Sequence, residues 1–233
     1  MRLPRALPML TPLEGTSRRF RLVVFDWDGT LADSTAIIAD SLQRACRDID
    51  IEVPNDIDAR FVIGLGVSET IRHVAPDLPR ERYRELAARY WHHYVARALD
   101  IPLFAGVREM LADLKDAGVL LGVATGKSRS GLDRALAHYD IGGFFAATRC
   151  ADEDFPKPRP EMLWHLMQAI GVTGEETLMI GDTTHDLELA RNAGTAALAV
   201  AYGAHAPAGL EEKRPLAIVH SVAELRAWLL THG

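Results

Sequence analysis

Short apolar segments alternate with helical segments along most of this chain, and this alternation limits the possible folds more than any other feature of the sequence. The first apolar segment, residues 21–25, is β-branched and nearly uninterrupted, as expected of a strand buried on both faces of a parallel sheet. The other predicted strands cover residues 119–124, 144–148, 177–180, 196–200 and 216–219. Predicted helices lie at residues 107–118, 128–138, 160–170, 186–193 and 222–230. This order predicts an α/β fold with a doubly wound, Rossmann-like parallel sheet.

One segment interrupts the alternation. After the first strand, apolar residues follow helical spacing, as at Ile38, Leu42 and Ala45, and no convincing strand occurs until about residue 100. An inserted helical cap subdomain between the first strand and the rest of the sheet explains this pattern. The predicted division is a flexible N-terminal tail at 1–20, an α/β catalytic core at 21–33 and 101–233, and a helical cap at 34–100.

Charge and cysteine content narrow the class of partner. The formal net charge is -6 and the sequence pI is about 5.8, whereas binding to nucleic acid needs clustered basic residues on a net basic surface. Cys46 and Cys150 have neither disulfide-framework nor zinc-site spacing. Prolines interrupt the N-terminal segment, and no apolar stretch reaches the roughly 18 residues of a membrane span. We therefore expect a cytoplasmic protein without nucleic-acid or membrane partners, present as a monomer or homodimer.

Polar clusters follow four of the predicted strands. They are residues 26–30, residues 125–127, Lys157, and residues 181–186. Ligand sites of open α/β sheets lie outside the carboxyl ends of the strands, so these four clusters should meet in one site. Each cluster alone is also compatible with an ordinary turn, helix cap or solvated lysine, but their joint occurrence at strand ends favours a catalytic site.

In this order, the four clusters resemble the four motifs of the haloacid-dehalogenase-like hydrolase superfamily, and the helical insert resembles its cap. The match extends from about Arg21 to the C-terminus. Residues 25–34, Phe-Asp-Trp-Asp-Gly-Thr-Leu-Ala-Asp-Ser, and residues 154–161, Asp-Phe-Pro-Lys-Pro-Arg-Pro-Glu, resemble the phosphoglycolate phosphatase group most closely. The resemblance implies a Mg²⁺-dependent phosphatase that acts on a small phosphorylated metabolite, with 2-phosphoglycolate as the leading candidate.

The residues themselves suit this chemistry. Because a phosphate monoester repels anions, attack by a carboxylate needs a divalent cation and basic side chains around the phosphoryl oxygens. Asp26 is the predicted nucleophile and would form an aspartyl phosphate. Asp28, two residues further along an extended chain, is the predicted general acid and base.

The remaining predicted site residues would hold the metal and the phosphoryl group. By resemblance to the family, Mg²⁺ would be bound by Asp26, Asp182 and the backbone carbonyl of Asp28, with Asp186 as a fourth ligand or as an outer partner. Lys157 would neutralise the nucleophile and one phosphoryl oxygen, and Thr125 and Gly126 would bind other phosphoryl oxygens at a helix N-terminus.

A glycine-containing loop in the insert is a candidate for substrate contact. Gly64, Gly66 and Arg72 resemble the cap loop that closes over substrate in this superfamily. A simple turn between two helices explains the same residues equally well. His185 lies inside the fourth cluster, where we expect it to border the site rather than to act in catalysis.

The residues present argue against some of the other reactions of the superfamily more strongly than against others. Phosphonate cleavage there uses a cap lysine, and this chain has no lysine before Lys115. Halide loss needs no acid, so the presence of Asp28 favours an oxygen leaving group. Sugar-phosphate mutases share Asp26 and Asp28 but usually lack a threonine at the position of Thr30, which favours hydrolysis. A mutase, a pyrophosphatase and a non-catalytic phosphoaspartate protein remain the alternatives.

Overall fold

The computed structural model describes residues 19–232. The predicted tail therefore lies outside the described residues, except for its last two. One of these, Phe20, is 1% exposed and packs in the main apolar core, so the packed part of the protein starts before residue 21. No helix in the described part of the chain combines the length and apolarity that a membrane span requires.

Six parallel strands form one sheet. They are β1 (Leu22–Phe25), β2 (Leu120–Thr125), β3 (Ala147–Cys150), β4 (Thr177–Gly181), β5 (Ala196–Val200) and β6 (Ile218–Val219). Their order is β3-β2-β1-β4-β5-β6, which confirms the predicted doubly wound α/β fold. From β1, the sheet continues to β2 and β3 on one side and to β4, β5 and β6 on the other. The crevice at the carboxyl end of β1 is therefore the topological switch point, where ligands bind in such sheets.

Ten α-helices accompany the sheet in the described residues. They are α1 (Thr35–Asp48), α2 (Asp56–Phe61), α3 (Val67–Val74), α4 (Tyr83–Val95), α5 (Val107–Asp116), α6 (Arg129–His138), α7 (Glu161–Ile170), α8 (Thr184–Ala193), α9 (Pro207–Glu211) and α10 (Val222–His232). The first four lie in the inserted segment, whose helical character the apolar spacing predicted. We call residues 34–100 the cap.

The cap has its own apolar cluster. Leu42 and Cys46 of α1 pack there with Ile71 of α3 and Leu86 of α4. The two segments that connect the cap to the core run side by side, because Ala32 and Leu103 form an antiparallel bridge. Entry and exit at one place allow the cap helices to lie over the switch point while the sheet remains continuous.

Two local features differ from the sequence-based expectation. Strand β3 was predicted at residues 144–148 but spans Ala147–Cys150, because Gly142–Phe144 forms a 3-10 turn instead. Gly142 and Gly143 favour a turn over a strand, and the apolar Phe144 packs against the core from that turn. The short helix α9, which begins with Pro207 at its first turn, was not predicted.

Candidate active site

The nucleophile candidate lies at the centre of the sheet edge. Asp26 directly follows β1, and its backbone amide donates to the carbonyl of Ile180 at 2.8 Å, so its position is fixed between β1 and β4. Its side chain is fully buried. The chain then turns at Gly29, whose φ of +79° suits glycine, and Asp28 is left 8% exposed beside the cavity under the cap.

Lys157 brings two of the predicted carboxylates together. It lies in the connection between β3 and α7 and is 1% exposed. Its ammonium is 2.7 Å from Asp26 Oδ1 and 2.6 Å from Asp186 Oδ1. Burial lowers the pKa of Lys157, but the two neighbouring carboxylates outweigh burial and raise it, so the lysine stays charged.

Asp182 and Asp186 complete an acidic group. Oxygens of Asp26, Asp182 and Asp186 lie within 4.8 Å of one another, and all three side chains are buried. Asp182 accepts hydrogen bonds from the Thr30 hydroxyl at 2.9 Å and from the Ala204 amide at 2.7 Å. Asp186 accepts from the amide and hydroxyl of Thr183 at 3.1 and 2.7 Å, as part of the capping box of α8.

The charges of this group suit a divalent cation. Three buried carboxylates against one ammonium leave two negative charges in a site that excludes water, if all four groups are ionised. Asp26 Oδ1 faces the Lys157 ammonium, whereas Asp26 Oδ2 is buried without a hydrogen-bond partner among the described residues. Burial raises the pKa of Asp26 to about 7 and raises the pKa of Asp182 well above its usual range. Hard oxygen donors with unused acceptor capacity are what Mg²⁺ prefers, so the residues present fit this ion.

The predicted phosphoryl-binding residues lie at the end of β2. Thr125 is fully buried, and its hydroxyl oxygen accepts from the Lys127 amide at 3.2 Å. Gly126 faces the cap, since a Cβ at this position would lie 3.1 Å from the Gly64 carbonyl oxygen. Helix α6 begins at Arg129 with Ser128 as its N-cap, so Thr125 ends β2 and Gly126 lies in the following loop, and neither is at the helix N-terminus that the sequence suggested.

Lys127 is a site residue to which sequence reasoning gave no role. Its ammonium lies 3.1 Å from Asp28 Oδ1 and also donates to the hydroxyl of Tyr94 in the cap. The sequence contained a signal, because the chain has only four lysines and two of them, Lys127 and Lys157, belong to the polar clusters. Each predicted catalytic carboxylate thus has its own ammonium partner.

Of the three residues of the cap that were predicted to contact substrate, one lines the cavity and two lie elsewhere. Gly64 lines the cavity between cap and core, next to Gly126. Gly66 is the N-cap of α3 and lies against Pro156 instead. Arg72 is exposed and pairs with Glu69 of the same helix at 2.6 Å, and it does not line the cavity. The substrate-binding role predicted for Arg72 therefore has no support in its position.

Two histidines of the core hold the cap at the Phe61 carbonyl. The Nε2 atoms of His185 and His205 lie 2.8 and 3.0 Å from this oxygen. Because the Thr184 amide donates to His205 Nδ1, the proton of His205 is on Nε2, from which it donates to Phe61. His185 thus contacts the cap beside Asp186, its neighbour in the chain, and His205 is a contact that the sequence did not reveal.

Replacing Gly29 tests the position of Asp182. In Gly29→Ala the new Cβ would lie 2.1 Å from Asp182 Oδ2, so we expect the carboxylate to move and kcat to fall by about 10²- to 10³-fold. Gly118→Ala is the matched control, because Gly118 has a φ of +80° and nothing within 4 Å of the new Cβ. Both variants should lose roughly 1 kcal/mol of stability from backbone strain. Equal activity in the two variants would contradict the assignment of Asp182; thermal melts and steady-state rates provide the measurements.

The parallel sheet with its buried carboxylates and lysine at the switch point defines an α/β enzyme whose chemistry depends on carboxylate oxygens. A family model described as haloacid dehalogenase-like hydrolase matches residues 23–200. The chain belongs to this family, and within it the enzyme is a phosphatase.

Individual relatives agree with this placement. The chain is 35% identical over 210 residues to "Probable phosphatase IndB" of Dickeya dadantii, covering 88% of this chain and 91% of that protein. It is 28% identical over 222 residues to "Phosphoglycolate phosphatase" of Vibrio vulnificus, covering 90% and 96%. A crystal structure of a hydrolase from Pseudomonas syringae superimposes with a TM-score of 0.83 at 20% identity, covering 91% of this chain and 98% of that one, and shares its fold.

Proposed function

We propose that this phosphatase is Mg²⁺-dependent and hydrolyses a small phosphate monoester through a phosphorylated Asp26. The observation that carries the proposal is the state of Asp26. Its carboxylate is fully buried, with Oδ1 2.7 Å from the Lys157 ammonium and Oδ2 without a hydrogen-bond partner among the described residues. A purely structural buried carboxylate would be expected to use its oxygens in hydrogen bonds, whereas a nucleophile needs one of them free.

Formation of the intermediate uses Asp26 and Asp28. An Asp26 oxygen attacks phosphorus, the bond from phosphorus to the ester oxygen breaks, and Asp28 gives a proton to the departing oxygen. Lys157 offsets negative charge on Asp26 and the phosphoryl group, because its ammonium is buried beside Asp26. Loss of the alcohol leaves the phosphoryl group covalently attached to Asp26.

Hydrolysis of the intermediate reuses Asp28. Water attacks phosphorus, Asp28 takes a proton from it, and the bond from phosphorus to Asp26 breaks to release phosphate. Lys127, at 3.1 Å from Asp28 Oδ1, holds this carboxylate at the boundary between the site and the cavity. Its contact with Tyr94 links the position of the acid and base to the cap.

Asp26, Asp182 and Asp186 would hold the metal, with the Asp28 carbonyl as a further predicted ligand. When bound, Mg²⁺ supplies positive charge that screens the phosphoryl oxygens and supports attack by an anion. Three buried carboxyl groups close together against one ammonium, and Asp26 Oδ2, which is unpartnered in the described part of the chain, support this assignment.

A leaving-group comparison tests the role of Asp28. An alkyl phosphate leaves as a strong base, so Asp28→Asn should slow its hydrolysis by about 10²- to 10⁴-fold. The nitrophenolate of p-nitrophenyl phosphate needs little protonation, so attack by Asp26 should persist while hydrolysis of the intermediate becomes slow. We expect a stopped-flow burst of nitrophenolate close to the enzyme concentration, followed by slow turnover. Equal losses for both substrates without a burst would assign Asp28 a structural role.

The sequence and the comparisons offer one candidate for the physiological substrate. The sequence-based candidate, 2-phosphoglycolate, agrees with the name of the Vibrio vulnificus relative. A steady-state screen across phosphorylated metabolites, with pyrophosphate and a sugar phosphate included, tests it against the alternatives. We also propose a cytoplasmic location, to which the two buried, unpaired cysteines are suited.

A further inference from the structure

The cavity between cap and core is apolar far beyond the needs of a phosphate group. It has a volume of about 210 Å³ and meets the phosphoryl site at Asp28 and Gly126. Any group attached to the ester oxygen of a bound substrate would enter it, because Asp28 is the residue that protonates this oxygen. The side chains that line the cavity therefore indicate which alcohol part of a substrate would fit.

Aromatic side chains supply much of this wall from both sides. Trp27 and Tyr139 belong to the core, and Tyr90, Trp91 and Tyr94 belong to one face of α4 in the cap. Tyr90 stacks on Tyr94 with ring centroids 5.7 Å apart, and the Trp91 ring lies edge-on to both. Stacked and edge-on aromatic surfaces favour an apolar, especially aromatic, guest.

Polar groups in the wall are few and partly occupied. Apart from tyrosines, the polar side chains are Asp28, Thr70, Lys127, Ser128 and Arg134. Lys127 is held by Asp28 and Tyr94, so it is not free to bind a carboxylate of the substrate. Arg134 is exposed at the surface and is the wall cation that such a carboxylate would have to reach. A short anionic alcohol such as glycolate would thus place its charge among aromatic rings, which is unfavourable without a partner.

The size of the cavity fits one ring with a short linker. An apolar cavity of about 150 Å³ in another protein is large enough to bind benzene. The present cavity is larger, at about 210 Å³, and it leaves room for a ring together with the carbons that join it to the ester oxygen.

We propose that the enzyme prefers phosphate monoesters of alcohols carrying a compact apolar, preferably aromatic, group over 2-phosphoglycolate. This inference rests on the proposed phosphatase function and adds to it the class of leaving alcohol. Transfer of one ring from water into the cavity predicts a gain in kcat/KM of about 10- to 100-fold.

A matched substrate set measures this preference. 2-Phenylethyl phosphate and ethyl phosphate have similarly basic leaving groups and differ by the ring, so the ratio of their kcat/KM values reports the cavity. We expect a ratio of about 10 to 100, with 2-phosphoglycolate no better than ethyl phosphate. A ratio near one, or a preference for 2-phosphoglycolate that is lost in Arg134→Gln, would overturn the inference while leaving the phosphatase function intact.

Variants that fill the cavity provide a second test of the preference. Ala87 of α4 lines the cavity, whereas its neighbour Ala88 is exposed and does not. Ala87→Phe should reduce the phenylethyl-to-ethyl ratio toward one, and Ala88→Phe should leave it unchanged. If Ala87→Phe does not fold, Ala135→Phe fills the cavity from the core side. An unchanged ratio in a folded cavity-filling variant would place the ring elsewhere.

Failure of the proposed phosphatase function would give a different result from failure of the cavity preference. If neither the three esters nor p-nitrophenyl phosphate is hydrolysed with Mg²⁺ present, the phosphatase proposal fails. Calorimetry with the non-hydrolysable phosphonate analogues of the phenylethyl and ethyl esters then decides the cavity preference. Tighter binding of the phenylethyl analogue would support the inference, and equal binding would overturn it.

Discussion

The Asp26→Asn variant should fold and should lose turnover by about 10⁴- to 10⁶-fold, because an amide cannot form the acyl phosphate. The substitution preserves shape, and the amide oxygen of the new side chain can take the place of Asp26 Oδ1 beside the Lys157 ammonium. The loss should appear in kcat with every substrate, including p-nitrophenyl phosphate. Activity near that of the wild type would contradict covalent catalysis by Asp26.

Thermal melts at two pH values show whether the Asp26→Asn variant folds, and they test the raised pKa of Asp26 as well. Burial raises the pKa of Asp26 to about 7, so in metal-free protein this group stabilises the folded state at low pH and loses that contribution as the pH rises from about 4 through about 7. Asparagine carries no such charge. Relative to the wild type, Asp26→Asn should therefore be more stable at pH 8 than at pH 5, in thermal melts with chelator. The difference between the two proteins cancels the opposite contribution of His185 and His205, whose pKa values burial lowers.

Removal of divalent cations should inactivate the wild-type enzyme. Without a cation, the positive charge that offsets the phosphoryl oxygens beside Asp26, Asp182 and Asp186 is lost, so activity in excess EDTA should fall by about 10⁴-fold or more. Mg²⁺ should restore activity, and Ca²⁺ should inhibit, since its larger and looser coordination shell misplaces the nucleophile. Undiminished hydrolysis in EDTA would contradict the metal assignment.

A readout independent of activity separates metal binding from catalysis. A cation that binds only the folded state raises the melting temperature by mass action. Mg²⁺ should therefore stabilise the wild type, and Asp182→Asn should lose much of this stabilisation. Arg72→Gln is the matched control in the cap, where the side chain pairs only with its own helix, and it should respond to Mg²⁺ like the wild type.

The sequence predicted the fold well because the signals were local. The strand at Leu22–Phe25 is a short apolar run with polar residues at its end, and the structure has a buried strand there. The carboxylates Asp26, Asp182 and Asp186 could be placed together for the same reason, since parallel strands end at one edge. The helix at Arg129–His138 likewise lies where one was predicted, at residues 128–138.

What the sequence could not show depends on how the cap lies on the core. The pairing of Lys127 with Asp28 and Tyr94 joins residues from three distant segments, and no periodicity encodes that distance. Arg72 was predicted to contact the substrate because its segment resembles the family's cap loop, yet helical geometry places Glu69 within its reach. The place of Trp27 in the cavity wall likewise depends on the cap, which leaves space above this residue.

The central claim is that the phosphoryl group passes through Asp26, and mass spectrometry of the trapped enzyme tests it most directly. Asp28→Asn should be mixed with p-nitrophenyl phosphate and Mg²⁺, quenched in acid, and digested at low pH to preserve the acyl phosphate. The account predicts one added HPO₃ group per chain, located by fragmentation at Asp26 and absent from the Asp26→Asn/Asp28→Asn double variant. Phosphate on another residue, or turnover without any phosphoenzyme, would contradict it.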